Sequence, residues 1–596
     1  MAVVSSALVI NHQQASAAGT SGSTFAALTV VGDTTLGGVH AGTPGTGNQV
    51  RPETDHSPQI PNANVKNLPA PPTTNPNPAG RAVTVINQGE KGFNGLSHAD
   101  QRNAGTGDYV NTQFSLEPPD QGLCVGQGFV MESVNNALAV YSTKGTLLSG
   151  PTANSQFFQL APEIIRTTGV AGPFISDPKC IYDYQTQRWF MTELEQDNGA
   201  NPGATGRSFQ LIAVSQTSNP TGTWTIFKFD TTDDGLNGTP SNPGCPCFGD
   251  QPLIGADSNG FYITTNEFGD GFNGAQVYAV AKQKLADAAL HASSLPLVVH
   301  IDAGPALLPF GGTSYSLQPD VRSPGDHDGD DSDNQAAEHG IEYFMSALQF
   351  GNPGYEVLDN RIAIWGLINT RSLNSSTPSL SLQVKVIGSE TYGEPNNMNQ
   401  KDGNKPLATQ LGEPLEQIQS NDDRMNQVVF AQGNLWGALN TIIGDGTRTG
   451  IAFFKVRPTW SHGTLNAHMV KQDYIAVAGN NVAYPSVAVT SGDQGVIAFT
   501  LVGPNYYPSA AYIRVDDRGI FGKVHVAGAG AGPDDGFTGY VSEGGNGAGR
   551  WGDYSAGVAA PDGTVWVANE YIPNTPRTLL ANWGTFITHV ATNTDD

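Results

Sequence analysis

Beyond about residue 80 the apolar residues fall in short alternating or β-branched runs, each ended by Gly, Asn, Asp or Pro, with no amphipathic helix of useful length among them. This pattern predicts an all-β chain. The runs recur as a unit: an Asp, often followed by Pro, opens a short apolar strand that turns on Gly, Asn or Asp into an aromatic-rich second strand. The clearest copies span 177–193, 250–267 and 553–570, and weaker ones begin at Asp120, Asp320, Asp423 and Tyr484, which makes seven. Third strands follow, as at 137–141, 211–214 and 451–454, and fourth strands, as at 224–229 and 380–386. Four antiparallel strands per repeat is the pattern of one propeller blade.

The last copy has a third strand at 586–590 and no fourth after it, whereas the apolar run 82–86 has no repeat of its own. Pairing the two would complete the last blade and remove an open edge. The expectation is therefore a seven-bladed β-propeller over 81–596, closed by an N-terminal strand. A β-sandwich with a second β domain is the competing arrangement, and sandwiches lack a repeated unit of this kind.

Composition changes the picture mainly at the N-terminus. Residues 18–80 are rich in Gly, Thr, Asn and Pro, most densely at 69–78, and are expected to form a disordered linker. Residues 1–17 join a short apolar run to an A-x-A pattern, which reads as a truncated signal peptide without its basic region and implies a secreted or cell-surface protein. No other run approaches the ~20 apolar residues of a membrane helix. A net charge of -25 with only 29 Lys and Arg leaves no basic stripe for a phosphate backbone, so nucleic acid is excluded as a partner. Cations, or a neutral or cationic ligand, suit this balance, and a monomer is expected.

The four Cys allow one or two bridges in an oxidising compartment. Cys245 and Cys247 flank Pro246, an awkward spacing for a direct bridge, so each is expected to pair elsewhere or stay free, with three connectivities open.

Three segments carry a family resemblance: Asp177-Pro-x-x-x-Tyr-Asp183 with Arg188-Trp189-Phe190, the strand 260–266, and Arg550-Trp-Gly-Asp-Tyr-Ser555 with Ala568-Asn-Glu-Tyr571. Together they resemble a group of secreted bacterial propeller proteins of largely undefined activity, loosely similar to the sialidase superfamily, over about residues 110–590. The resemblance implies the fold and says little about reaction. Sialidase-type enzymes carry Asp-box turns; the segment 218–224 is similar to one but lacks its Asp, and their arginine triad has no counterpart that can be placed.

Propeller topology sets the loops entering first strands and leaving second strands beside the central channel. Asp120, Asp177, Asp250, Asp320, Asp423 and Asp553 are then expected at its mouth, with Glu193, Glu267 and Glu570 near it. Such carboxylates bind a cation through oxygen, supply an acid and base to a glycoside, or simply cap turn N–H groups. Glu267 and Glu570, each in Asn-Glu-aromatic, are the catalytic candidates. Asp177, Asp250, Asp553, Arg550 and Trp551 are the ligand-binding candidates, Trp551 by stacking on a sugar. Asp326, Asp328, Asp330 and Asp333 resemble the start of a calcium loop, with Asp331 where such a loop has Gly; a solvated acidic loop is the alternative. No nucleophile elbow, zinc-protease helix, P-loop or dinucleotide fingerprint is present. The expected function is recognition of an extracellular polysaccharide or surface ligand; glycoside hydrolase or polysaccharide lyase activity, and a structural surface role, are the alternatives.

Overall fold

The computed structural model describes residues 23–40, 81–82, 84–87, 92–197, 206–291, 294–304, 314–324, 340–348, 358–444 and 446–592. The chain is all-β, and its runs pair in the order of the repeat. Sheet I is Gly122–Gly126, Phe129–Val134, Ala137–Ser142 and Leu147–Ala153. Sheet II is Phe174–Asp183, Arg188–Gln196, Ser208–Ser215 and Thr223–Asp230; sheet III is Phe248–Ala256, Gly260–Phe268, Phe272–Ala281 and Val298–Asp302. Sheet IV is Gln318–Arg322, Ile341–Ser346, Leu358–Ile368 and Ser381–Gly393; sheet V is Val428–Ala431, Asn434–Ile443, Arg448–Ser461 and Thr464–Ala476. Sheet VI is Asn481–Val489, Gly495–Gly503, Tyr506–Asp516 and Gly519–Gly528. Sheet VII is Ala556–Ala559, Thr564–Tyr571 and Gly584–Ala591, with Gly92–Ser97 as its fourth strand. Within each set neighbours are antiparallel, and short parallel contacts along the first strands join III to IV and IV to V.

Strand alternation gives each sheet two buried faces, and a separate apolar cluster fills each junction. Met131 and Met191 meet between I and II, Phe190 and Phe261 between II and III, and Val277 and Trp365 between III and IV. Ile364 and Phe454 share the next junction, Phe453 and Phe499 the one after, and Ala498 and Val567 that between VI and VII. Val130 of sheet I packs with Trp566 and Ile587 of sheet VII. First strands follow the same order: each neighbours the next, and Ala556–Ala559 lies against both Asn481–Val489 and Gly122–Gly126.

Several expectations change. The run 82–86 is not the partner of the last sheet: Arg81–Ala82 adds in parallel to sheet V, Val85–Asn87 in parallel to sheet VI, and the antiparallel partner is Gly92–Ser97. The chain thus skirts two sheets before reaching the third. Within the stretch expected to be disordered, Thr24–Ala26 and Thr29–Thr35 form fifth strands on sheets III and II, where their backbone groups pair with the edge strands Val298–Asp302 and Thr223–Asp230 despite low hydrophobicity. Residues 1–22 and 41–80 lie outside the described residues, as does the calcium-loop candidate at Asp326, Asp328, Asp330 and Asp333.

Both disulfides are short-range in space but differ in kind. Cys124–Cys180 links the first strands of I and II across 56 positions, whereas Cys245 bonds Cys247 after all, because the loop brings their Cα atoms to 4.4 Å, inside the usual range of about 4.4–6.8 Å. Loop-closure entropy makes the first worth about 4 kcal/mol and the second under about 2 kcal/mol. The second is a poor staple.

Candidate functional site

The first strands of II, III and VI break register at one place, between Ser176 and Lys179, Asp250 and Leu253, and Ala483 and Ser486. At each break a left-handed residue precedes a proline: Asp177 (φ 60°), Gln251 (φ 48°) and Tyr484 (φ 59°). Proline has no N–H for the ladder, so the strand bulges there. Asp120 (φ 46°) takes the same conformation just before sheet I. The recurring feature is thus a bulge whose occupant varies, not an Asp. Asp250 stands one residue before it, and Asp553 follows Gly552 (φ 115°) at the entrance to sheet VII.

These entrances converge. Carboxylate oxygens of Asp120, Asp177 and Asp553, from three different sheets, lie within 4.8 Å of one another. Asp120 accepts the Asp553 N–H at 2.7 Å and the Asn135 amide at 3.0 Å, while Asn135 Oδ1 accepts the Asp177 N–H at 2.9 Å. Asp553 Oδ1 accepts from Asn421 at 2.6 Å and lies 3.6 Å from Arg550. Among the described residues no donor holds the Asp177 carboxyl. Arg424 pairs with Asp422 at 2.7 Å, bonds Gln251 at 2.7 Å and stacks on Tyr315. Lys179 rests against the ring of Tyr554.

Burial, then mutual repulsion, shapes the protonation of this group. Burial and the neighbouring Asp553 push Asp120 up to about 6. Burial and Asp553 push Asp250 up to about 7, against the pull of Arg424 and Arg550. Asp177 is held well above the usual carboxylate range by burial and by Asp250, Asp120 and Asp553. Burial lowers Lys179 to about 7 although all three neighbouring Asp residues favour its charge. Lys179 also lines a cavity of about 480 Å³ between first strands, whose walls include Ile254, Val321, Val429 and Val558. The arrangement brings buried carboxyls with raised proton affinity, the Asp553–Arg550 pair and the Arg424 guanidinium close together.

Asp177, Asp250, Asp553 and Arg550 lie near one another and near Asp120. Other candidates stand apart from this group or are buried behind it. Asp320 is fully buried, accepts the Tyr343 N–H at 3.1 Å and lies 3.3 Å from Arg322, four positions beyond the left-handed Ser316 (φ 44°) at the entrance to sheet IV. Asp423 sits among Asp422, Glu394 and Asp359. Trp551 is 2% exposed, packs in the cluster between VII and I and donates to Thr500 at 3.0 Å, so its ring serves the core. Glu193 is buried against Asn154 at 2.9 Å. Glu570 is buried behind Gly552, raised well above the usual range by burial and then by Asp534, Asp120 and Glu117. Glu267 belongs to a separate cluster with Asp233, Asn242, Gln276 and the Cys245–Cys247 bridge. Lys179, Asn135, Asn421 and Arg424 were not foreseen; the basic residue in Asp177-Pro-Lys and in Asp422-Asp-Arg is the signal that could have found two of them.

No protein-family model and no curated sequence matches the chain. Among solved structures it is similar to an exo-β-1,3-galactanase from Clostridium thermocellum, at 10% identity over 82% of this chain and 96% of that one, TM-score 0.28. It is similar to leech intramolecular trans-sialidase at 9% identity over 72% and 70%, TM-score 0.34. The parainfluenza virus 5 hemagglutinin-neuraminidase ectodomain gives 10% identity over 71% and 81%, TM-score 0.31. At this level of likeness the activity of the chain has to be argued from its own residues.

Proposed function

We propose that the chain is a seven-bladed β-propeller, with sheets I to VII as blades and Gly92–Ser97 closing the last, and that it recognises a carbohydrate at the channel mouth through Asp120, Asp177, Asp250, Asp553, Arg424 and Arg550. Support for the ring comes from the packing of Ala556–Ala559 against Gly122–Gly126 and from the core shared by VII and I. The observation that carries the functional reading is the convergence of carboxyls from three sheets within 4.8 Å, flanked by Arg550 at 3.6 Å from Asp553. Carboxylates accept and guanidiniums donate, so together they match hydroxyl groups, each of which gives and takes a hydrogen bond. The net charge of -25 turns polyanions away, which leaves neutral or cationic polysaccharides as the ligand class. Two disulfides support an extracellular location. Calcium at Asp326, Asp328, Asp330 and Asp333 remains a separate proposal, tested by calcium and EDTA titration.

A second reading, glycoside hydrolysis, is favoured by the pairing of Asp177, which burial raises well above the usual carboxylate range, with Asp553, whose carboxyl accepts from Asn421 and stands 3.6 Å from Arg550. Asp177 would protonate the leaving oxygen while Asp553 attacks the anomeric carbon, and water then releases the glycosyl group from Asp553. Their oxygens, within 4.8 Å, stand closer than the about 6.5–9.5 Å that accommodates a water in inverting enzymes, so retention of configuration follows.

The test is a thermal-shift screen of the full chain against neutral and cationic polysaccharides, with a reducing-end assay on each mixture and Asp177→Asn and Asp553→Asn alongside. A shift lost in both variants supports recognition; new reducing ends lost in both support hydrolysis. A shift that survives both substitutions, or no shift with any glycan, refutes a carbohydrate site at this mouth.

A further inference from the structure

The Cys245–Cys247 bridge lies in the loop between sheets II and III, outside the mouth and outside the core. Cys245 is half-buried and its neighbours Gly244 and Pro246 are exposed, whereas Cys247 is 3% exposed and packs against Gly269. The other bridge is different: Cys124 is fully buried and Cys180 is 7% exposed, both within the cluster between I and II. One bridge staples the core; the other is presented to solvent.

Polar groups surround the second bridge in an order that chemistry can use. Glu267 Oε1 stands 3.4 Å from Cys245 Sγ. A disulfide sulfur carries no hydrogen, so only a protonated Glu267 can make this a hydrogen bond, as donor. Burial raises Glu267 to about 7, against the hydrogen bonds from Asp233, Asn242 and Asn273 and with Asp302 repelling. The Asn242 amide reaches both Glu267 oxygens at 3.0 Å, and Gln276 donates to Oε2 at 2.9 Å. Asn273 Nδ2 lies 3.3 Å from Cys247 Sγ and 3.5 Å from Cys245 Sγ. The charged or titratable groups facing Glu267 are Asp233 and Asp302, with Asp230 and His300 behind Asp233.

We propose that Cys245–Cys247 is a thiol–disulfide exchange site that accepts an electron pair from low-molecular-weight dithiols, with Glu267 as its proton donor and Asn273 as the group that steadies the buried thiolate. A thiolate of the dithiol attacks the accessible Cys245 sulfur; the S–S bond breaks and its electron pair leaves on Cys247, beside the Asn273 N–H. The second thiolate of the dithiol then attacks its own sulfur in the mixed disulfide. The electron pair of that bond leaves on Cys245, which takes the proton of Glu267. Cys247 takes a proton from water, Glu267 is reprotonated from water, and the two protons of the dithiol go to solvent. The dithiol ends as a cyclic disulfide and the protein as two thiols. An oxidised dithiol reverses the sequence.

The test is differential alkylation of the folded, full-length protein in dithiothreitol, with labelled peptides resolved by mass spectrometry over time and over pH 5–9. Cys245 and Cys247 should label at least ~100-fold faster than Cys124 and Cys180, should close again when oxidised dithiothreitol is added, and should show an inflection in the pH profile near pH 7. Glu267→Gln should slow release of the Cys245 thiol from the mixed disulfide about tenfold or more and remove that inflection. Labelling of all four cysteines at one rate, failure to reclose, or a Glu267→Gln variant with the wild-type rate and profile would overturn the proposal. If Glu267→Gln does not fold, the wild-type profile decides: an inflection near 7 supports it and a monotonic rise with thiol ionisation refutes it.

Discussion

Glu132 provides a quantitative test of how the last sheet is tied to the first. It lies on the second strand of sheet I, is fully buried, and its Oε2 accepts the N–H of Leu96 in the strand Gly92–Ser97 at 2.7 Å. Burial pushes it from 4.5 up to about 7 against the hydrogen bonds from Thr585 and Leu96. That displacement corresponds to about 3 kcal/mol. Because the folded state holds this proton more tightly than the unfolded chain, the contribution is present in full below about pH 4.5 and is lost as pH rises through about 7. Glu132→Gln keeps the shape and the acceptor for Leu96 but carries no titrating proton. Other titrating groups act equally in both proteins, so they cancel in the difference.

Urea unfolding of wild type and Glu132→Gln at a series of pH values from 4.5 to 8 measures this directly. The stability of the variant relative to wild type should rise by about 3 kcal/mol across the window, mostly between pH 5 and 7. A difference that stays flat, or falls, would show that Glu132 is ionised in the folded protein and that its contact with Leu96 is not a buried one.

Further predictions address the same framework. Leu96 is 1% exposed, so Leu96→Ala should cost about 2–5 kcal/mol in denaturant unfolding. A Cβ on Gly539 would fall on a carboxylate oxygen of Glu416 and on the backbone amide of Gly549; Gly539→Ala should lower the melting temperature, at a cost of about 1–3 kcal/mol. Cys124→Ser with Cys180→Ser should cost about 4 kcal/mol by calorimetry, against under about 2 kcal/mol for the Cys245→Ser and Cys247→Ser pair. Asp120 at about 6 and Asp250, Glu195 and Asp534 at about 7 are all raised by burial, so the melting temperature should fall between pH 5 and pH 8, a trend calorimetry would contradict if it ran the other way.

Much of this framework is written locally in the chain. Asp177-Pro178 and Gln251-Pro252 mark bulges because a proline after a left-handed residue removes a ladder donor there, and Trp189 beside Phe190 alternates between two sheet junctions as a strand must. What was not legible depends on distance. Gly92–Ser97 contains two glycines and no alternation, and it becomes a strand through Gly584–Ala591, nearly 500 positions away. Thr24–Ala26 is three residues long and has meaning only as an edge of sheet III. Asp553, Asp177 and Asp320 carried the same sequence signal for the channel mouth, but Asp320 lies in a buried pair with Arg322, four positions past the left-handed Ser316 rather than at it. Cys245 and Cys247 were set apart by their spacing alone, which overlooked how tightly a Pro-containing loop can fold.

Isothermal titration calorimetry of the best polysaccharide from the screen, against wild type and against Asp177→Asn with Asp553→Asn, tests the central claim most directly. The account predicts that the double variant stays folded and loses at least about tenfold in affinity, about 1.4 kcal/mol, because Asn fits the left-handed backbone at position 177 while removing the carboxyls. An unchanged affinity in a folded double variant would place the ligand elsewhere on the molecule.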